Sequence, residues 1–119
     1  MSPIATLHSF VFDCPEPAAL AEFYQRIFGG TVVADGDDWV DLKIDGLSTT
    51  LAFQESPGYI PPDWPGDDGA QQAHLDIRVD NLDEAHRALL EIGARFAADN
   101  DTFRVYRDPV GHLFCTVRG

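Results

Sequence analysis

Two histidines, an aspartate and a cysteine are the residues whose types and spacing suggest chemistry in this sequence. His8 and His74 each begin an alternating apolar run, and Asp76 stands two positions after His74. Residues two apart on a strand point to the same side, so His74 and Asp76 can bind one ion together. With Cys115 they offer imidazole, carboxylate and thiolate donors, a set that suits Zn²⁺ better than Mg²⁺ or Ca²⁺. His8, His74, Asp76 and Cys115 are therefore the candidate metal ligands.

The same residues also have structural interpretations, and the sequence leaves both kinds open. A hydrogen bond to Asp76 or to a backbone carbonyl can hold His74 without any metal. Cys115 acts as a nucleophile only if a cation such as His74 or Arg78 stabilises its thiolate. In an apolar strand it is more often an inert core thiol. Arg78 shares a side with Asp76 and is expected to pair with that carboxylate, or else to bind an anionic ligand.

The composition excludes several classes of partner. Of the 119 residues, 8 are Lys or Arg and 20 are Asp or Glu, which gives a formal net charge of −12. This charge disfavours nucleic acid and anionic membrane surfaces as partners. The sequence shows neither a membrane-spanning apolar run nor a secretion signal, so we expect a cytoplasmic protein. The cysteines, Cys14 and Cys115, form no Cys-x-x-Cys pattern and are expected to be free thiols.

Hydrophobic periodicity predicts one strand, one helix and three further strands in the first half of the chain. The predicted helix carries Leu20, Phe23 and Ile27 on one side and ends at Gly29-Gly30. The five predicted elements span residues 5–13, 16–28, 31–34, 39–44 and 49–54.

Residues 55–70 are predicted to form a long loop that divides the chain near its middle. Four of the eight prolines fall in this segment, which suits neither a helix nor a sheet. Loops of this length are often lids or binding loops. Trp64 within it is either a ligand contact or a hydrophobic cap over the end of a site.

The same order of elements begins again after the loop. The five predicted elements span residues 72–79, 82–92, 94–97, 102–107 and 113–117. On the first of these strands Leu75, Ile77 and Val79 form an apolar side that should cover the helix, which leaves the polar residues between them on the other side. His86 and His112 are expected at solvated positions.

The repeat predicts an α+β fold of tandem βαβββ modules within one domain. Module one covers about residues 5–54, the loop 55–70 and module two about 71–117. We align His8 with His74, which puts Phe10 and Phe12 on the same side of the first strand as His8. Such a tandem is expected to form a cupped mixed sheet with its helices outside and a concave binding face between the modules.

Three motifs resemble those of the vicinal oxygen chelate superfamily, which includes glyoxalase I, bleomycin-resistance proteins and extradiol dioxygenases. They are Phe23-Tyr24 followed by Phe28-Gly29, the opening strand His74-Leu-Asp-Ile-Arg-Val-Asp80, and the closing Asp108-Pro-Val-Gly-His-Leu-Phe-Cys115. Within this superfamily, the sequence resembles the small glyoxalase-like proteins of high-GC bacteria. The resemblance implies a glyoxalase-like fold.

The resemblance also implies where a metal would bind. Metal sites of this superfamily use the first strand, the strand after the loop and a glutamate in the last strand, sometimes with another in the fourth strand. His8 and His74 occupy the first two positions, whereas Cys115 stands where the last-strand glutamate belongs. The fourth strand offers Leu51, Ala52 or Phe53 instead of a carboxylate. Neither carboxylate of the family pattern is present, so we expect a protein without a catalytic metal.

The sequence therefore predicts a protein that binds a small aromatic metabolite or drug in its cup. An apolar cavity with a few convergent polar groups is the usual composition of a ligand site. The alternative is a metal-dependent lyase, isomerase or transferase that uses His8 and His74 with Asp76 or Cys115, with zinc as the metal. We also expect a homodimer, since paired chains commonly cover open sheet edges in this superfamily. The predicted ligand-binding residues are Phe10, Phe12, Phe53, Trp64, His74, Asp76, Arg78 and Cys115.

Overall fold

Each half of the chain forms a four-stranded mixed sheet with one helix packed on one face, which confirms the α+β fold of two βαβββ modules. The structure, a computed structural model, describes residues 3–61 and 73–118. The chain divides into two compact units, Met1–Tyr59 and Ile60–Gly119. Trp64 lies outside the described residues. Among the described residues, no helix has the length and apolar character that crossing a membrane requires.

The first module forms a sheet with the strand order β1-β4-β3-β2, in which only the β1–β4 pairing is parallel. Helix α1 begins with Pro17, where the missing N–H costs no hydrogen bond. Gly30 then has a φ of 90°, and a Cβ there would collide with the carbonyl oxygen of Lys43. The elements are β1 (Ser9–Cys14), α1 (Pro17–Phe28), β2 (Thr31–Ala34), β3 (Trp39–Lys43) and β4 (Thr50–Glu55).

The second module repeats this topology with the strand order β5-β8-β7-β6, and again the β5–β8 pairing is the parallel one. Helix α2 is capped by the side chain of Asn81, whose Oδ1 accepts a hydrogen bond from the backbone N–H of Glu84 at 3.0 Å. The elements are β5 (Leu75–Val79), α2 (Leu82–Glu91), β6 (Arg95–Asp99), β7 (Phe103–Arg107) and β8 (Leu113–Arg118).

The side chains of strand β1 lie on the opposite sides of the sheet from those that we predicted. The ring of Phe12 is 5% exposed and stacks on Tyr24 of α1 at 5.2 Å and on Phe53 at 5.5 Å. The ring of Phe10 contacts Phe12 at 5.1 Å, whereas Val11 is 39% exposed on the other face. Phe10, Phe12 and Phe53 therefore belong to the helix-packed side of the first sheet, and their predicted place on the helix-free side is wrong.

The cause is a one-residue error in the alignment of the two modules. Phe12 and Ile77 are the buried, helix-facing residues of β1 and β5. His74 stands three residues before Ile77. Its counterpart in the first module is therefore Ser9, three residues before Phe12, and not His8. Because side chains alternate along a strand, a shift of one residue moves every side chain to the opposite face.

Strand β5 faces as predicted. Ile77 is 7% exposed on the side of α2, with Leu75 and Val79 half-buried beside it. Asp76 and Arg78 are exposed on the other side. We call this other side, opposite α2, the helix-free face of the second module.

A polar contact joins α2 to the helix-packed face of the second sheet. The Nδ1 atom of His86 and the hydroxyl of Tyr106 form a hydrogen bond of 2.9 Å. Tyr106 has no exposed surface, and burial raises the pKa of its hydroxyl above the ordinary tyrosine value, which already keeps it protonated at neutral pH. His86 is half-buried, and our expectation that it is solvated is wrong because the helix pattern alone does not show which strand residue lies beneath it.

We expect Tyr106→Phe to lower the free energy of unfolding by about 1–2 kcal/mol, because it leaves the Nδ1 atom of His86 without its partner. Urea denaturation measures the change. A double-mutant cycle with His86→Ala isolates the contact and should give a coupling energy of about 1 kcal/mol. A coupling energy near zero would show that the hydrogen bond does not stabilise the fold.

Candidate functional site

His74, Asp76 and Cys115 come together on the helix-free face of the second module. Asp76 and Cys115 are direct partners in the parallel β5–β8 pairing, so their side chains leave the sheet on the same side. His74 immediately precedes β5 and stands two residues before Asp76. One nitrogen, oxygen or sulfur atom from each residue lies within 4.8 Å of the others. We call these three residues the polar cluster.

His74 and Asp76 form a contact at the exposed edge of the polar cluster. The Nε2 atom of His74 lies 3.2 Å from Oδ1 of Asp76, and their side chains are 37% and 60% exposed. A polar contact this exposed contributes little to stability, since water competes for both groups. The contact leaves the outer side of both residues accessible to a ligand or an ion.

Arg78 does not neutralise Asp76. Its guanidinium forms no ion pair with any residue that the structure describes, and its side chain is exposed. The pairing that we expected between Arg78 and Asp76 is therefore wrong. Asp76 contacts His74 instead, because both residues lie at the start of β5.

Cys115 forms the buried side of the polar cluster. It is 6% exposed and packs with Val105 and Leu113 in an apolar core cluster. Burial and the negative charge of Asp76 raise the pKa of the Cys115 thiol. A nucleophilic cysteine needs a lowered pKa instead. The environment therefore fits the core-thiol interpretation.

The donor atoms of the polar cluster fit a borderline-soft divalent ion. Imidazole nitrogen, carboxylate oxygen and cysteine sulfur are all zinc ligands, and three of them leave a coordination position for water or a substrate. A metal ion would displace the thiol proton of Cys115, so binding would release that proton and become tighter as pH rises. His74 and Asp76 have exposed side chains that can turn toward such an ion.

His8, the fourth predicted ligand, is not a member of the polar cluster. It precedes β1 in the first module, and its side chain is exposed. The residues in β1 and β4 that correspond to the polar cluster are Ser9, Val11 and Ala52. Within the described residues, the first module therefore offers no equivalent set of metal donors.

Apolar residues that were not predicted to form part of the site lie beside the polar cluster. Val105 and Leu113 are 5% and 2% exposed, and Phe103 packs against them. Two spacings in the sequence indicate that these residues lie on the same face as Cys115 or as one another. Phe103 and Val105 are two apart on one strand, and Leu113 stands two before Cys115, so each pair shares a face of the sheet.

We expect Asp76→Asn to lower the pKa of the Cys115 thiol, because the substitution removes the negative charge that opposes the thiolate. The pH profile of Cys115 alkylation by iodoacetamide, measured in a Cys14→Ser background, should move to lower pH with an unchanged rate at high pH. Glu91→Gln at the end of α2 is the matched control and should not move the profile. An unmoved profile in Asp76→Asn would contradict the contact between these two groups.

Comparisons with known proteins agree with this fold. A family model for a glyoxalase-like domain matches residues 9–117. A search of curated proteins gave no match. Among solved structures, a glyoxalase/bleomycin resistance protein/dioxygenase family enzyme from Burkholderia phytofirmans is similar, with a TM-score of 0.72, 15% identity, and coverage of 96% of this chain and 98% of that one.

Two further solved structures show the same fold at low identity. The oxidase ChaP-H2 has a TM-score of 0.70 and 20% identity, with 98% of this chain and 95% of that chain covered. A bleomycin resistance determinant encoded on the transposon Tn5 has a TM-score of 0.60 and 19% identity, with 97% and 98% covered. Because the family model spans nearly all of the two βαβββ modules, this chain belongs to the glyoxalase-like domain family.

Proposed function

We propose that this chain binds a small organic molecule on the helix-free face of its second module, without a catalytic metal. The observation that carries the proposal is the position of the polar cluster beside an apolar core cluster. Cys115 belongs to both, since its sulfur faces His74 and Asp76 while its neighbours are Val105 and Leu113. Ligand sites in proteins usually combine apolar walls with a few polar groups that fix orientation.

The chemistry of these residues indicates the class of ligand. The partly buried ring of Phe103 favours an apolar or aromatic body, and the exposed carboxylate of Asp76 favours a hydrogen-bond donor or a cationic group on it. The formal net charge of −12 also attracts cationic ligands. A small aromatic metabolite or drug that carries a donor group meets these requirements. Bleomycin is a reasonable probe because one structural neighbour is a bleomycin resistance determinant.

A thermal-shift screen with metal-free bleomycin and a library of small aromatic amines tests the proposal. A compound present at about 100 times its Kd stabilises the folded state by about 2.7 kcal/mol and should raise the melting temperature by at least about 5 °C. His74→Ala and Asp76→Ala should reduce the shift, whereas His8→Ala in the first module should retain it. Either no shift with any compound, or equal shifts in all three variants, would contradict the proposal.

The second candidate is a metal-dependent lyase, isomerase or transferase with zinc as the metal. The observation that favours it is the approach of three different donor atoms to within 4.8 Å in the polar cluster. His74, Asp76 and Cys115 would hold the ion. Bound zinc would supply a Lewis acid that polarises a substrate carbonyl or activates water.

Titration of untagged protein with Zn²⁺ and Co²⁺ tests the second candidate. If the chain is a metal-dependent enzyme, one ion should bind per chain. Bound Co²⁺ should give a thiolate-to-cobalt absorption band that Cys115→Ser abolishes. His74→Ala should weaken zinc binding by more than the roughly 10–100-fold that loss of an outer-shell partner costs. His8→Ala should bind zinc as the unmodified protein does. Absence of a bound ion, or equal weakening by His8→Ala, would exclude this function.

A further inference from the structure

A second region of the second module carries charged side chains that the proposed function does not use. A cavity of about 470 Å³ opens at the carboxyl ends of β5 and β8, beside the turn between β6 and β7. Its volume falls within the range of small-molecule sites, roughly 300–1,000 Å³. The cavity is lined by Arg78, Val79, Asp80, Asp101, Thr102 and Arg118.

The four charged groups of this cavity are not paired with one another. Within the described residues, the guanidiniums of Arg78 and Arg118 and the carboxylates of Asp80 and Asp101 form no ion pair. The nearby Arg104 behaves differently, since its guanidinium lies 2.6 Å from a carboxylate oxygen of Asp83. The charges in the cavity are therefore available to a ligand.

The fold itself does not require arginine at this position. The residues of the first module that correspond to Arg78 and Arg118 are Asp13 and Glu55, at the ends of β1 and β4. The two modules share a topology, yet one carries carboxylates where the other carries guanidiniums. The whole chain has only 8 basic residues, and two of them line this one cavity.

We infer that this cavity binds a small zwitterion, a molecule with one carboxylate and one ammonium group like a free amino acid. Guanidinium groups bind carboxylates through paired N–H donors, so Arg78 and Arg118 would hold the carboxylate of the ligand. Asp80 and Asp101 would hold its ammonium group. The two guanidiniums and two carboxylates sum to zero charge. A phosphate dianion would be repelled by both carboxylates, whereas a zwitterion satisfies both signs.

The experiment is an NMR titration of ¹⁵N-labelled protein with glycine, at constant ionic strength. Because all four charged side chains are exposed, each contact is weak and we expect a dissociation constant in the millimolar range. Saturable shifts should appear at the Nε–H groups of Arg78 and Arg118 and at the amide of Thr102. Acetate, methylammonium and inorganic phosphate, tested separately, should each bind at least about tenfold more weakly than glycine.

Matched variants locate the site. Arg118→Gln and Arg78→Gln should each abolish saturable glycine binding, whereas Arg95→Gln, an exposed arginine of β6 outside this cavity, should retain it. His74→Ala should also retain it, which separates this site from the polar cluster. If acetate or phosphate bound as tightly as glycine, the ligand would be a simple anion and the zwitterion assignment would be overturned. No saturation, or glycine binding that survives Arg118→Gln, would overturn the inference.

Discussion

The register of the parallel strand pair beneath each helix is the constraint on which the rest of the structure depends. In a strand the side chains alternate, so the phase of β5 and β8 decides which residues pack under α2 and which remain on the opposite face. In the second module this phase buries Ile77 and brings Asp76 directly beside Cys115. In the first module the corresponding phase stacks Phe12 and Phe53 against the helix. The positions of Asp76 and Cys115 in the polar cluster follow from this alternation.

The two modules share a topology but differ in chemistry. At the positions of His74, Asp76 and Cys115, the first module has Ser9, Val11 and Ala52, which offer no comparable set of donors. The burial of Cys115 and the charge of Asp76 both oppose a free thiolate, which disfavours nucleophilic attack by this cysteine.

Periodicity predicted the order of the elements and the facing of β5, because polar and apolar residues alternate cleanly from Leu75 to Val79. Periodicity did not predict which residues of β1 face the helix. Phe10, Val11 and Phe12 are all apolar, so either side of this strand could be the buried one. Aligning His8 with His74 then fixed the wrong phase. Leu113 stands two residues before Cys115 on β8 and follows from that alternation, whereas the pairing of Val105 on β7 with Cys115 cannot be derived from one sequence. A homodimer, a cytoplasmic location and a cup between the modules remain predictions.

A ¹³C-edited NOESY spectrum of the metal-free protein tests the facing of these strands directly. This facing predicts cross-peaks between the imidazole protons of His74 and the β-protons of Cys115, since their donor atoms lie within 4.8 Å of each other. It also predicts cross-peaks between the rings of Phe12 and Tyr24, whose centroids are 5.2 Å apart. Cross-peaks from Val11 to Tyr24 in place of those from Phe12, or from His74 to α2 in place of those to Cys115, would contradict it.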